Sequence, residues 1–262
     1  MKNKRIAFWF LFAVVLCAVL VTGCLARADA QPVTQPQITP QSPAQNTPQT
    51  GAPAVFMTDK ITPEGLLAVY EALGLAASGN VAVKISTGEP GNPHFLAASL
   101  IKNLVQRVNG TIVECNTAYG GRRANTAAHY QVARDHGFSA IASVVIMDER
   151  SDISIPVTGG KHLKEDIVGA RFRDFNFHIV LSHFKGHPMG GFGGALKNMS
   201  IGYASSAGKA WIHTAGRSKT SMGGGVQNDF LESMAEAAKA VADANKGKML
   251  YINVMNHLSV DC

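Results

Sequence analysis

Short apolar runs alternate along the chain with longer segments in which apolar residues recur every three or four positions. The short runs are typical of buried β-strands, and they cover residues 81–86, 111–115, 140–147, 177–181 and 249–254. The longer segments are typical of amphipathic helices, and they cover residues 63–75, 93–108, 125–137 and 229–244. Residues 153–157 predict a short additional strand, whereas residues 162–173 fit neither pattern. This alternation predicts an α/β fold with a mainly parallel sheet flanked by helices.

Three local signals predict where helices begin and end. Thr62 and Asn92 each precede a proline, and a capping side chain followed by proline is typical of a helix start. Gly137 stands where a helix is expected to end in a left-handed residue.

The amino-terminal residues predict export. Lys2, Lys4 and Arg5 precede an apolar run from residue 6 to about residue 21, and small residues follow. The run is shorter than the roughly 20 residues of a membrane-spanning helix. Residues 21–24, Val-Thr-Gly-Cys, resemble a lipobox that would make Cys24 the lipidated first residue, although residues 28–30 also fit ordinary signal cleavage. A membrane-anchored lipoprotein is therefore favoured over a freely secreted protein.

The same composition predicts the domain boundaries. Residues 1–24 form the predicted signal peptide, and residues 25–57 are rich in Pro, Gln and Thr without apolar periodicity, which is typical of a disordered linker. Residues 58–262 are long enough for a single α/β domain with a sizeable core.

Charge and cysteine content exclude two classes of function. Beyond Cys24 the chain keeps 21 of its 24 basic residues against 18 acidic ones, and no basic run stands out, so nucleic acid is not an expected partner. Of the 4 cysteines, only Cys115 and Cys262 follow the signal. A buried Cys115 is favoured over a disulfide, and two thiols cannot supply the four ligands of a ferredoxin-type iron–sulfur cluster.

Polar residues follow the predicted strands with unusual uniformity. If the strands are parallel, the loops after them meet at one edge of the sheet, where open α/β sheets bind ligands. A single site is therefore predicted from residues after four strands: Glu89, His94, Arg122, Arg123, His183, Lys185, His187 and His257. Other ligand-binding candidates in or near the same loops are Thr87, Tyr119, Lys197, Asn198 and His213.

Two pairs in this set have simpler explanations that the sequence leaves open. Arg122 and Arg123 precede a predicted helix and could hold a phosphate or carboxylate, but exposed arginines are common. Glu89 and His94 could act as a general acid or base, yet Pro90 and the proline before His94 equally indicate a rigid turn.

His183, Lys185 and His187 are the catalytic candidates. Two histidines four residues apart could ligate a divalent metal or relay protons, and Lys185 suits an anionic ligand. Neighbouring glycines and Pro188 argue against a helix here, so a scaffold role for both histidines is an open alternative.

The glycines at 190–194 match neither standard phosphate-binding pattern. The third glycine of a dinucleotide fingerprint is absent, and Lys197 is not preceded by glycine as a P-loop lysine would be. A nonstandard anion nest and a mobile flap both fit this stretch.

Four long motifs resemble a known family: VKISTGEPGN at 83–92, ECNTAYGGRR at 114–123, HFKGH at 183–187 and GGFGGALKN at 190–198. The chain after the linker is similar to the bacterial and archaeal domain-of-unknown-function family three-six-two, whose members are often labelled uncharacterised iron–sulfur centre proteins. The resemblance implies no settled activity. That label belongs to members with an inserted ferredoxin-like domain, whereas the segment from His213 to Asp229 has no cysteine here. The chain resembles the short form, and an iron–sulfur cluster is not expected within it.

The resemblance also shows two departures. Family members continue well past the region that matches residues 256–262, and most look intracellular, unlike a chain with an export signal.

Two function hypotheses follow, and the sequence does not decide whether the protein is an enzyme. The first is a small-molecule enzyme or ligand-binding domain with a metal- or anion-binding site at the carboxyl ends of the strands. The second is a noncatalytic, membrane-tethered binding or redox-accessory protein. The expected partners are a small anionic ligand and, through the lipid anchor, a membrane.

Overall fold

A sheet of five parallel strands forms the centre of residues 54–258, the part of the chain that a computed structural model describes. The spatial order is β3-β2-β1-β6-β9, with β1 at Val81–Lys84, β2 at Thr111–Glu114, β3 at Val144–Ile146, β6 at Phe177–His183 and β9 at Met249–Val254. The predicted α/β fold with a mainly parallel sheet is therefore confirmed. The predicted signal, the lipid-anchor site Cys24, most of the linker and Cys262 lie outside the described residues.

Two antiparallel hairpins accompany this sheet. Strands β4 (Asp152–Pro156) and β5 (Glu165–Gly169) form the first, which includes the predicted additional strand and assigns part of the ambiguous segment. Strands β7 (Lys185–His187) and β8 (Gly191–Gly193) form the second, directly after β6. The glycine-rich stretch is thus a short hairpin.

Within residues 54–258, six helices pack against the strands: α1 (Pro63–Ala72), α2 (Ala98–Arg107), α3 (Thr126–Asp135), α4 (Ala195–Tyr203), α5 (Ser206–His213) and α6 (Gln227–Asn245). The sequence predicted four of them and missed α4 and α5, which are short and rich in Gly, Ala and Ser. Among residues 54–258, no helix combines the length and apolar character that a membrane span requires.

The predicted helix starts had different outcomes. The Thr62 side chain accepts a hydrogen bond from the Gly65 N–H at 3.1 Å, so the predicted cap of α1 is confirmed. The predicted start at Pro93 is wrong, because α2 begins at Ala98. The Asn92 side chain instead accepts from the nearby His94 N–H at 2.8 Å, which is a local turn rather than a helix cap.

The predicted strand 140–147 is also too long. Its first residue, Ala140, ends a 3₁₀ turn at Phe138–Ala140, and β3 begins only at Val144. The buried Phe138 belongs to the apolar layer that includes residues of α1 and α2. An apolar run alone does not distinguish such a turn from a buried strand.

Side chains alternate across the sheet and form two apolar layers. Val81 and Val83 face a layer that includes residues of α1 and α2, whereas Ala82 faces a layer that includes α4, α6 and the β4–β5 hairpin. Both layers lie within the unit Pro53–Cys262, so this unit has its own core and is expected to fold independently.

Asp166 on β5 is a fully buried carboxyl group in this core. Neither of its side-chain oxygens has a hydrogen-bond partner within the described residues, and Lys209 is the charged group that acts on it. Burial penalises the carboxylate and raises the pKa of Asp166 to about 7. Below neutral pH, the protonated form is therefore favoured in the folded state.

We expect Asp166→Asn to change the pH dependence of stability. The raised pKa of Asp166 stabilises the wild-type fold at low pH, and this contribution is lost as pH rises from about 4 through 7. The variant lacks this loss, so its free energy of unfolding relative to wild type should increase by about 3 kcal/mol between pH 4 and pH 7.5. Urea denaturation at several pH values measures this difference, and exposed Asp59→Asn is the control. A difference that does not vary with pH would contradict the assignment.

Candidate functional site

The strand order reverses between β1 and β6. From β1 the chain proceeds to β2 and β3 on one side, whereas β6 and β9 lie on the other side. In open parallel sheets, ligands bind in the crevice outside the carboxyl ends of the strands at such a point. The loop after β1, the loop after β2 and the β7–β8 hairpin all begin at this edge.

Three predicted site residues meet where the loops after β1 and β2 approach each other. Glu89 Oε1 accepts hydrogen bonds from Arg123 Nη1 and from the Tyr119 hydroxyl, both at 2.7 Å. Arg123 is buried, whereas Glu89 and Tyr119 are accessible from solvent. These residues form the outer part of a polar cluster.

Glu114, the last residue of β2, is the centre of this cluster. Its carboxylate lies 3.3 Å from Lys84 Nζ and 3.5 Å from Arg123 Nη2, and it accepts the Thr87 N–H at 3.1 Å. Burial alone would raise the pKa of Glu114, but the two cations outweigh it and the pKa is lowered. Glu114 is therefore held as a carboxylate inside the protein.

Lys84 ends β1 and is buried with all of its donors directed at acceptors. Besides Glu114, its ammonium donates to the Ile85 carbonyl at 2.6 Å and to Asn198 Oδ1 at 2.8 Å. Burial lowers the pKa of Lys84, and the Glu114 carboxylate partly offsets this effect. A Cβ at Gly202 would lie 2.7 Å from the Lys84 nitrogen, so α4 approaches closely because this position is glycine.

His129 on α3 joins the cluster as a neutral ring. Its Nε2 lies 2.9 Å from the Thr87 hydroxyl and 3.5 Å from Arg123 Nε, and its Nδ1 lies 3.3 Å from Asn116 Oδ1. Because Arg123 only donates, Nε2 is assigned as the acceptor and Nδ1 carries the proton. Burial lowers the pKa of His129 to about 4, which agrees with this assignment.

Lys209 on α5 adds a third buried cation near the cluster. Its ammonium donates to the Ala204 carbonyl, and its charge acts on Glu114, His129 and Asp148. Burial raises the pKa of Asp148, and Lys209 opposes this shift.

Sequence reasoning missed five members of this cluster: Lys84, Glu114, His129, Asp148 and Lys209. A signal was present for Lys84 and Glu114, since each is a charged residue inside an apolar strand run. A buried charge in a strand requires a partner, which would have directed attention to both.

A second group of predicted residues lies at the end of β6. His183 Nδ1 is 3.2 Å from the His94 carbonyl, which also accepts a hydrogen bond from Lys185 Nζ at 3.0 Å. His183 Nε2 contacts the carbonyl of Asn256. His183 thereby links β6 to the loops after β1 and β9.

Lys185 and His187 extend from the β7–β8 hairpin. Lys185 pairs with Gly193 and His187 pairs with Gly191, and His187 Nδ1 accepts the Gly190 N–H at 2.9 Å. Lys197 approaches from α4, since a Cβ at Gly193 would lie 3.9 Å from both Lys185 Cγ and Lys197 Cδ.

The remaining predicted residues have other positions. Arg122 is exposed and pairs with Asp135 on α3 at 3.1 Å, so the structure does not bring it into the polar cluster with Arg123. His213 Nδ1 donates to the Lys209 carbonyl, and its ring stacks on Phe230 with centroids 4.6 Å apart. His257 is exposed.

Within residues 54–258, no group of three or more His, Cys, Asp or Glu side chains could hold a metal ion. Both ring nitrogens of His183 lie against carbonyls, so metal binding would require this ring to leave its partners. A divalent metal at His183 and His187 therefore stays a prediction.

Cys115 is buried, as the sequence predicted, and its thiol donates to the Tyr203 carbonyl at 3.2 Å. Burial raises the pKa of this thiol to about 12. A neutral thiol of this kind is a poor nucleophile and a poor metal ligand.

A cavity of about 1110 Å³ lies at the opposite edge of the sheet. It includes Val81 and Thr111, which begin β1 and β2. Its charged side chains compensate each other, because Arg171 pairs with Asp174 and with the neighbouring Glu149. We place the candidate site at the carboxyl edge instead, because the buried charges and the strand reversal coincide there.

Comparison with known proteins identifies a family and two distant structures. The model of a family described as a domain of unknown function (DUF362) matches residues 81–262. No curated protein matches the chain.

The lactate racemase apoprotein from Thermoanaerobacterium thermosaccharolyticum is similar with a TM-score of 0.42 and 14% identity, over 62% of this chain and 40% of that one. A structural-genomics protein from Thermotoga maritima is similar with a TM-score of 0.45 and 16% identity, over 74% of this chain and 50% of that one. The chain thus spans half or less of the length of these two structures.

We expect Glu114→Gln to destabilise the fold by about 3 kcal/mol or more, because it leaves two buried cations without their shared carboxylate. Glu71→Gln is the control, since Glu71 forms an exposed pair with Arg107 at 3.5 Å and should change stability by less than about 1 kcal/mol. Urea denaturation at neutral pH measures both variants. Equal, small effects would show that the carboxylate of Glu114 does not hold the cluster together.

Proposed function

The chain belongs to the DUF362 family, and we propose that its α/β domain binds a small anionic molecule at the carboxyl edge of the sheet. The observation that carries this proposal is the convergence of Lys185 and Lys197 on Gly193, beside the reversal of strand order between β1 and β6.

One face of the β7–β8 hairpin is cationic and has little steric bulk. Residues paired across antiparallel strands share a face, so Lys185 and His187 lie on the same face as Gly193 and Gly191. The two glycines have no side chains to fill the space beside these basic groups. An anion could therefore approach the backbone closely between the two lysine side chains.

The segment of sequence around the hairpin is basic. From Phe175 to Asn228 there is no Asp or Glu, but there are five basic residues: Lys185, Lys197, Lys209, Arg217 and Lys219. Of these, Arg217 and Lys219 pair with Asp229 and Glu165 outside the segment. One acceptor of a Lys185 hydrogen bond is the His94 carbonyl. Basic side chains attract anions and raise their concentration nearby.

The buried cluster has a different role in this proposal. Lys84 and Arg123 have Glu114 and Glu89 as counter-charges, so they are poorly suited to bind a further anion. Their ion pairs fix the loops after β1 and β2, and these loops form the opposite wall of the crevice. We therefore assign ligand binding to Lys185, Lys197 and His187, and positioning to His183 and the buried cluster.

We further propose that the domain acts outside the cytoplasm, tethered to a membrane through Cys24. The support for this location is the predicted signal peptide and lipobox, followed by the Pro-, Gln- and Thr-rich segment.

Inorganic phosphate is a suitable probe of the proposed site. We expect saturable binding to the unit 53–262 in isothermal titration calorimetry. Lys185→Ala and Lys197→Ala should each weaken binding by about tenfold, which corresponds to about 1.4 kcal/mol for one lost charged contact. Added sodium chloride should also weaken binding, because the attraction is electrostatic.

Lys102→Ala is the matched control, because Lys102 is exposed on α2 and belongs to neither the hairpin nor α4, so its loss should leave the affinity unchanged. Phosphate affinity that is the same in all three variants, or no binding to the wild type in low salt, would refute the anion site.

A further inference from the structure

β9 forms an open edge of the sheet. It is the last strand in the spatial order, and β6 is its partner among the described residues. The hydrogen bonds from His178 N–H to the Lys248 carbonyl and from Phe184 N–H to the Val254 carbonyl define which residues face β6. Because the direction alternates along a strand, the backbone groups of Met249, Tyr251 and Asn253 point outward.

The sequence of β9 carries none of the residues that usually prevent further pairing. No charged residue and no proline occurs from Met249 to Val254. Natural sheets protect open edges with lysine, proline, bulges or covering segments. The outward N–H and C=O groups of β9 are therefore suited to pair with another strand.

An apolar cavity of about 150 Å³ lies beside the same edge. Ile252 and Val254 of β9 form one wall, and the other walls come from residues 56–62, α1 and Leu100 of α2. An apolar cavity of about this size accommodates a benzene ring in other proteins. It could therefore accept one side chain of the size of leucine or phenylalanine.

Exposed apolar side chains surround the cavity. Phe56, Ile61 and Met255 are about half exposed, and Met57 is 91% exposed. Lys60 is the charged residue among those that line the cavity. An occupant with an acidic residue next to its apolar side chain would complement both the cavity and Lys60.

We propose that the outer edge of β9 binds an extended peptide segment of another protein by strand addition. The segment pairs with the outward backbone groups of Met249, Tyr251 and Asn253. It places an apolar side chain in the cavity beside Ile252 and an acidic side chain near Lys60. In this mode of recognition, backbone hydrogen bonds supply affinity and the pocket supplies specificity.

A second copy of the chain fits this edge less well. Two β9 strands could pair, but Leu250, Ile252 and Val254 of each strand are buried in the core of their own chain. They could not enter the cavity of the other copy, which would remain empty. An extended segment with a free apolar side chain satisfies both the edge and the cavity.

A synthetic peptide can test the proposal with the unit 53–262. The probe is an acetylated and amidated eight-residue peptide of alternating threonine and valine, with a central phenylalanine followed by glutamate. Isothermal titration calorimetry should detect saturable binding. Replacing the phenylalanine of the peptide by alanine, or methylating its strand-pairing amide nitrogens, should each weaken binding by at least about tenfold.

Protein variants separate the two parts of the site. Val69→Phe should fill the cavity from α1 and weaken binding of the parent peptide by at least about tenfold. This variant should bind the parent peptide and the phenylalanine-to-alanine peptide with the same affinity. Lys60→Ala should weaken binding by about threefold, in line with an exposed ion pair. Lys102→Ala is the control for lost surface charge, and thermal unfolding checks that each variant is folded.

Three results would overturn the proposal. The first is the absence of saturable binding by the parent peptide. The second is equal affinity for the parent and N-methylated peptides, which would exclude strand pairing. The third is a dimer in sedimentation equilibrium that dissociates in Tyr251→Pro, since this change removes an outward N–H and would identify a second copy as the occupant.

Discussion

The arrangement of the carboxyl edge depends on a single buried carboxylate. Glu114 contacts Lys84 from β1, Arg123 from the loop after β2 and the backbone of Thr87 from the loop after β1. An isolated charge at this depth would be strongly unfavourable, and so would either cation alone. The three groups therefore require one another, and the loops that carry them can occupy few other positions. Asn198 extends the constraint to α4, because its side chain accepts from the Lys84 ammonium and donates to the Lys84 carbonyl.

The sequence predicted the sheet well because its strands are buried on both faces and read as continuous apolar runs. Residues 249–254 were predicted with the bounds that β9 has in the structure. The helices α4 and α5 were not predicted, because Gly, Ala and Ser give weak apolar periodicity and pack through close backbone approach instead. At Gly208, an added Cβ would lie 1.9 Å from the Ile167 carbonyl oxygen, a contact that depends on the fold of β5 and is not visible in local sequence.

The candidate site was partly predictable for a related reason. Loops that follow parallel strands lie at the same edge of a sheet, and this rule alone predicts that Glu89, Tyr119 and Arg123 are near one another. In the structure, Glu89 accepts hydrogen bonds from both other residues. The rule cannot say which of two adjacent arginines turns inward. Arg123 is buried against Glu89 and Glu114, whereas Arg122 faces solvent and pairs with Asp135. That choice follows from the 3₁₀ turn Arg122–Ala124, which directs successive side chains to different sides.

The division of charge between the two walls of the crevice gives the proposed site its physical basis. On the wall formed by the loops after β1 and β2, each buried cation has a carboxylate partner, so this wall is rigid and nearly neutral. The other wall is the β7–β8 hairpin, which lies in a long segment of sequence without Asp or Glu. The residues paired with Lys185 and His187 in this hairpin are glycines, which have no side chains to cover the two basic groups. A rigid, nearly neutral wall beside a basic, glycine-rich wall can admit an anion without displacing Glu114 or Glu89 from the buried cations. The opposite arrangement, with binding at Lys84, would require the ligand to displace Glu114 and leave a buried carboxylate unpaired. The cost of leaving a buried charge unpaired thus explains both why the fold requires Glu114 and why we place the ligand at the hairpin.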